Sequence, residues 1–135
     1  MDRLRERLNL ASRALDRLAE VSHLAAPLDL ERDAAIQRFE YTFEAVWKAT
    51  QRYLHLIEGV RVGSPKACLR AAADAGLLEA DATERALAMV DDRNLTVHTY
   101  NEEVARAIYE RLEGHTRLLD LLLSSMKGIV ETKDR

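Results

Sequence analysis

Apolar residues return every three or four positions along most of this chain, which is the spacing of one face of a helix. Leu4, Leu8, Ala11, Leu15 and Leu18 form the first stripe and predict a helix from about Asp2 to His23, with Pro27 marking the turn after it. Ile36, Phe39, Phe43, Val46, Trp47, Tyr53, Leu54 and Ile57 form a second, longer stripe, with Asp29 as the expected N-cap and Gly59 as the stop. Ser64 before Pro65 is an N-cap followed by proline at the first helical position, and Gly76 closes this short third helix around Cys68, Leu69 and Ala72. Asp81 with Glu84 has the spacing of a capping box and opens a fourth helix through Leu87, Met89 and Val90. That helix is expected to fail near Arg93 and Asn94. Three of the five residues from Leu95 to Thr99 are β-branched, Asn94 tolerates a left-handed conformation, and Asn101 can cap the next helix. A last stripe of Val104, Ile108, Leu112, Leu119, Leu122, Met126 and Ile129 predicts a long closing helix. Gly114 weakens it by ~1 kcal/mol relative to alanine.

Two prolines and five glycines are few breaks for 135 residues, so the helices should be long. The expected fold is all-α: one domain over residues 1–135, an antiparallel up-and-down bundle of about five helices. Part of the leucine stripes on the first and last helices could serve a dimer, with bundle core the preferred use.

Composition narrows the function. The net charge of -3 argues against a protein that holds DNA by wholesale phosphate neutralisation, though it leaves room for a local basic site. Phe, Trp and Tyr make up only 5% of the chain, which argues against an RNA-stacking surface built from many rings. Cys68 is the single cysteine and reads as a structural thiol in a reducing compartment. Residues 1–10 alternate charges with leucines instead of forming a secretory leader, and no apolar run approaches the ~20 residues of a membrane span. A cytoplasmic protein is therefore expected. His23, His55 and His115 lie at separate places with no histidine or cysteine three or four residues away, so no metal site is expected.

Phosphate loops, zinc-protease motifs and nucleophile elbows are all absent. The segment left to carry chemistry is Asp91-Asp92-Arg93-Asn94-Leu95-Thr96-Val97-His98-Thr99-Tyr100-Asn101. Arg93 and His98 would diverge by about 140° in a continuous helix, whereas a helix end and an extended stretch could bring them together. In such a stretch Leu95, Val97 and Thr99 would face inward, and Thr96, His98 and Tyr100 outward. Arg93 offers a permanent cation whose fork fits phosphate, and histidine is the side chain type that gives or takes a proton near neutral pH. These are parts of a metal-free ribonuclease. Cleavage through a 2′-hydroxyl wants both a base and an acid, and a two-fold dimer would supply a second His98. On spacing alone the plainer alternative is favoured: Arg93 pairs with Asp91 or Asp92, His98 caps backbone, and Tyr100 carries an ordinary hydrogen-bonded hydroxyl. Arg38, Glu40, Lys48 and Arg52 form a charged stripe on the second helix, usually a solvated face. Trp47 reads as core.

Arg93, His98 and Tyr100 together match an RxxxxHxY motif placed before the last helix. With the stretch from Arg32 to Lys48, and with Ser64-Pro65-Lys66 and Ala75-Gly76-Leu77, the chain resembles the HEPN superfamily. Within it, the chain resembles the HepT-type proteins, also described as nucleotidyltransferase substrate-binding proteins. The resemblance runs from about Asp29 to Leu112, with Tyr41 and Val97 departing from the commonest residues. It implies a homodimeric endoribonuclease toxin, with Arg93 and His98 catalytic and Arg38, Lys48 and Asn94 supporting the cleft. The implied partner is a minimal nucleotidyltransferase antitoxin that uses ATP to place AMP on Tyr100, and the toxin needs no cofactor of its own. Phosphate charge two residues from His98 would compete with the substrate for Arg93. The same residues also fit a module that binds nucleotide for a nucleotidyltransferase without cleaving RNA.

Overall fold

The computed structural model describes residues 1–133, so the final two residues of the expected domain lie outside the described residues. Every regular element among them is helical. The order is α1 (Asp2–Ala19), α2 (Asp29–Glu58), α3 (Pro65–Asp74), α4 (Ala80–Leu95), a one-turn 3₁₀ segment (Thr96–His98) and α5 (Glu102–Lys133).

The expected stripes become the core. Leu4, Leu8, Ala11, Leu15 and Leu18 of α1 are buried in the core that α1 forms with α2 and α5, and Phe39, Phe43, Val46 and Leu54 of α2 are buried in the same core. Burial of each such large side chain is worth roughly 1.5–3 kcal/mol. Register follows from a few long-range bonds. Thr42 Oγ1 lies 3.1 Å from Ala14 O, and Arg38 Nη1 donates to Arg17 O at 2.8 Å, so α1 and α2 are antiparallel. Tyr109 donates its hydroxyl to Val21 O at 2.7 Å and accepts from Leu24 N at 3.1 Å, which fastens the α1–α2 connection to the first half of α5. The opposite end of α5, at Lys127 and Val130, lies beside Arg5 and Leu8, so α5 also runs against α1. The up-and-down order passes through α1, α2, α4 and α5, and the short α3 makes the return, packed on α2 and α4.

Helix ends refine the reading from sequence. α1 stops at Ala19 and gives way to a turn before His23. Leu28, not Asp29, is the N-cap of α2; its N–H is satisfied by Glu31 Oε1 at 2.8 Å, while Asp29 opens the helix as an acidic first residue. Glu79 is the N-cap of α4, which leaves Asp81 inside the first turn and not at a cap. Ser64 caps α3 as expected, accepting from Ala67 N at 3.3 Å, and Gly59 and Gly76 take the positive φ that ends a helix. Asn101 caps α5 by accepting from Glu103 N at 2.9 Å and Val104 N at 3.3 Å.

The largest revision concerns α4. It does not fail at Arg93 but continues through Asn94 to Leu95, and Asn94 does not adopt a positive φ. The next three residues tighten into 3₁₀ and do not extend. Thr96 Oγ1 donates to Arg93 O at 2.7 Å, and Thr99 Oγ1 to Thr96 O at 3.0 Å, so the β-branched threonines tie the turn together through their hydroxyls. The inward and outward sets therefore differ from a strand's: Thr96 is buried, while Val97 is exposed.

Candidate functional site

The segment from Arg93 to Tyr100 sits at the junction of α4 and α5, held from below by a buried polar network. Asp92 is 7% exposed at its side chain and accepts a two-pronged bond from Arg111, Nε to Oδ2 and Nη2 to Oδ1, each 2.7 Å. His115 lies one turn further along α5, and its Nε2 is 2.7 Å from Asp92 Oδ2. The face of its ring stacks on Phe39 of α2, with centroids 5.4 Å apart. α4 and α5 thus meet at one carboxylate, and α2 joins them through the ring of His115. Burial opposes ionisation of Asp92, but the hydrogen bonds from Arg111 and His115 outweigh it and hold the carboxyl below its usual range. Burial pushes His115 down from its ordinary value despite the pull of Asp92. At neutral pH, then, the imidazole is uncharged and donates its Nε2–H, while the Arg111 fork balances the charge.

This network decides the fate of Arg93. Asp92 is taken by α5, and Asp91 pairs with Lys66 of α3 at 2.8 Å. Arg93 therefore pairs with neither of its acidic neighbours, which removes the plainer alternative for it. Its guanidinium, half-buried, reaches only the Thr96 hydroxyl, at 3.4 Å, among the described residues. His98 and Tyr100 are exposed and meet each other: Nδ1 lies 3.2 Å from the phenolic oxygen, with the rings edge to face at 5.8 Å. No hydrogen bond joins Arg93 to His98 among the described residues. The segment between them is helical and not the extended stretch that the sequence reading invoked to bring them together. Asn94 is exposed on the last turn of α4.

Tyr100, 83% exposed, stands at the rim of a cleft of about 500 Å³ whose far wall is the first half of α2, including Leu30, Asp33, Gln37 and Glu40. Neither Arg38 nor Lys48 lines it. Arg38 turns into the α1–α2 seam, where it also meets Glu20 Oε2 at 3.1 Å, and Lys48 lies over the Trp47 ring at 4.5 Å. Trp47 is buried, as expected of core. Cys68 is buried too, and its thiol is pushed up to about 12, which makes it chemically quiet. No three His, Cys, Asp or Glu side chains gather to hold a metal ion among the described residues.

Sequence reasoning missed Asp92, Arg111 and His115. The only signal was Arg111 and His115 four apart on one face of α5, with a carboxylate a helix away, and nothing in the spacing says which carboxylate that is.

A bundle of this order, with Arg-x₄-His-x-Tyr at the junction before its last helix, has the fold of the HEPN proteins. It superposes on a tri-AMPylated Shewanella oneidensis HEPN toxin in complex with MNT antitoxin with a TM-score of 0.77 at 16% identity, covering 95% of this chain and 98% of that one. The chain belongs to the family described as nucleotidyltransferase substrate binding protein like, whose profile matches residues 5–128. A protein of Thermus thermophilus is 53% identical, with a TM-score of 0.84 over 86% of this chain and 98% of its own. A Haemophilus influenzae protein, described as revealing the fold of a substrate binding domain of a nucleotidyltransferase, is 27% identical, with a TM-score of 0.75 over 89% of this chain and 98% of its own. No curated protein sequence matches the chain. No helix among the described residues is long and apolar enough to cross a membrane.

Proposed function

We propose that this protein is the toxin of a toxin–antitoxin pair: a metal-independent endoribonuclease that works as a cytoplasmic homodimer of single-domain chains. The observation that carries the reading is the state of the motif in a chain of this family. Arg93 is free of both neighbouring carboxylates, while His98 and Tyr100 are displayed together on the surface. A buried carboxylate occupied by α5 leaves that cation available for phosphate.

In the proposed reaction a base takes the proton of an RNA 2′-hydroxyl, the oxygen attacks the adjacent phosphorus, and the 5′-oxygen leaves with a proton from an acid. The products are a 2′,3′-cyclic phosphate and a 5′-hydroxyl. His98 of each of two protomers fills one of the two proton-transfer roles, and Arg93 stabilises the charge developing on phosphorus oxygens. Because the reaction needs both a base and an acid and each chain carries one His98, a site shared across a two-fold axis suits this division of labour.

Tyr100 is the proposed control point. A partner nucleotidyltransferase would direct its phenolic oxygen onto the α-phosphorus of ATP, expelling pyrophosphate and leaving AMP on the ring. With the oxygen 3.2 Å from His98 Nδ1, the added phosphate would lie against the imidazole and block it. ATP belongs to the partner, and the toxin itself uses no cofactor. Likeness to HEPN toxins solved with their antitoxins supports the partner.

A second reading, a non-catalytic subunit that binds substrate for a nucleotidyltransferase, is favoured by the family description and by the Haemophilus influenzae relative. Incubating RNA with purified protein in excess chelator separates the two. The enzyme reading expects cleavage with cyclic phosphate ends, loss on Arg93→Ala, and a Tyr100→Phe variant that cleaves but resists silencing by partner and ATP. Intact RNA together with tight partner binding would establish the binding subunit instead.

A further inference from the structure

At the other end of α2, a cavity of about 270 Å³ opens between α1, α2 and the loop that leads to α3. Four permanent cations line it, Arg7, Lys48, Arg52 and Arg61, together with His55, and no carboxylate does. This is unusual for a chain of net charge -3. Several arginines and lysines elsewhere have a carboxylate partner, as in Arg38 with Glu20, Lys66 with Asp91, Arg106 with Glu102 and Arg111 with Asp92. None of the four cavity cations has an acidic partner among the described residues. The Arg52 Nε likewise has no hydrogen-bond partner among the described residues, so that guanidinium is not tied to a carboxylate or a carbonyl through this atom.

The cavity is built as well as charged. Gly59 takes φ 68 and turns the chain back, and Gln51 Nε2 then holds Val62 O at 2.7 Å, which pins the loop carrying Arg61 onto α2. Lys48 is steadied over the Trp47 ring. The loop backbone and Lys48 are positioned before any ligand arrives, which lowers the ordering cost of binding.

We propose that this cavity is a second phosphate-binding site, distinct from the Arg93–Tyr100 segment, that takes the phosphate chain of a polyphosphate or of an RNA backbone. Convergent arginines without carboxylates select phosphate, and His55 is the one ring in the lining. The two sites are well separated, since Gln37 beside Tyr100 and Arg52 in the cavity are 15 residues apart on α2, about 22 Å along the axis. The proposal does not depend on cleavage at the motif.

Calorimetric titration with inorganic triphosphate tests it, in the parent, in Arg52→Gln, and in a variant joining Arg7→Gln with Arg61→Gln, both exposed side chains whose replacement leaves the core intact. Saturable binding of one triphosphate per chain is expected, weakened at least tenfold in either variant, weakened further by salt, and unchanged in Arg93→Ala. A 2′-O-methyl oligoribonucleotide, which cannot be cleaved through its 2′-oxygen, distinguishes the sources: displacement of triphosphate assigns the site to RNA backbone, and no displacement assigns it to free polyphosphate. Absence of saturable triphosphate binding would overturn the proposal. So would binding that survives in Arg7→Gln with Arg61→Gln and is lost in Arg93→Ala.

Discussion

Replacing Asp92 by alanine should be among the most damaging single changes outside the apolar core. The side chain receives two bonds from Arg111 and one from His115, all at 2.7 Å. Hydrogen bonds to a charged group contribute about 1.5–3 kcal/mol each, and stranding a buried partner adds a further cost. Removing one member of a fully buried ion pair costs about 3–5 kcal/mol. Arg111 is 48% exposed at its side chain, so its charge can return to water and its share is discounted. His115 is buried and would lose the acceptor of its Nε2–H. A loss of about 2–4 kcal/mol is expected, read as a lower urea midpoint at unchanged slope. The network also sets the response to acid. Asp92 titrates below its ordinary value in the fold, so its stabilisation is complete above the unfolded carboxyl pKa near ~3.9 and is lost as pH falls through the folded value. His115, lowered by burial, acts in the same direction: below the unfolded histidine pKa of ~6.5 the unfolded chain takes up a proton that the fold refuses. Stability should therefore begin to fall below about pH 6.5, at up to ~1.4 kcal/mol per pH unit for that proton, and His115→Gln should remove this first slope. A loss under about 0.5 kcal/mol for Asp92→Ala, a value ordinary for surface substitutions, would refute the idea that Asp92 is the keystone under the motif.

Tyr109→Phe should cost about 1–3 kcal/mol in the same denaturant assay, because it leaves Leu24 N and Val21 O without the hydroxyl that joins the α1–α2 connection to α5. Asn101→Ala should cost about 1 kcal/mol by unfreezing the start of α5, and hydrogen exchange at Glu103 and Val104 should accelerate. Cys68 should resist a thiol reagent in the folded protein and react only on unfolding, since it is buried and its thiol stays protonated at neutral pH. Sedimentation should report twice the chain mass, and a strict monomer that still cleaves RNA would overturn the shared site.

The helices are legible in the sequence because their signals are local. Leu4 to Leu18 repeat at helical spacing, Ser64-Pro65 caps where it should, and Asn101 closes the last connection as its side chain chemistry suggests. At the end of α4, β-branching overstates the break. Its cost is only a few tenths of a kcal/mol per residue, less than the bonds that Thr96 and Thr99 return to the backbone. The motif residues are visible as types, but their availability is not. Whether Arg93 is free depends on where Asp91 and Asp92 point, and that is settled by Lys66, Arg111 and His115, each at least 19 positions from the carboxylate it holds. The basic cavity is half visible in Lys48 and Arg52. Arg7 and Arg61 join it only because α1 and the loop after Gly59 fold back over α2.

The central claim concerns His98, and cleavage of RNA in excess chelator by the parent and by His98→Ala, side by side, tests it most directly. The His98 side chain is exposed and, among the described residues, bonds to Tyr100 alone, so the variant should keep the helical circular dichroism and the urea midpoint of the parent. General acid–base catalysis by one group is worth typically ~10²–10⁴-fold, and a variant dimer loses both histidines at once, so its rate should fall by at least ~10²-fold. A His98→Ala protein that folds normally and cleaves at the parent's rate would contradict the account.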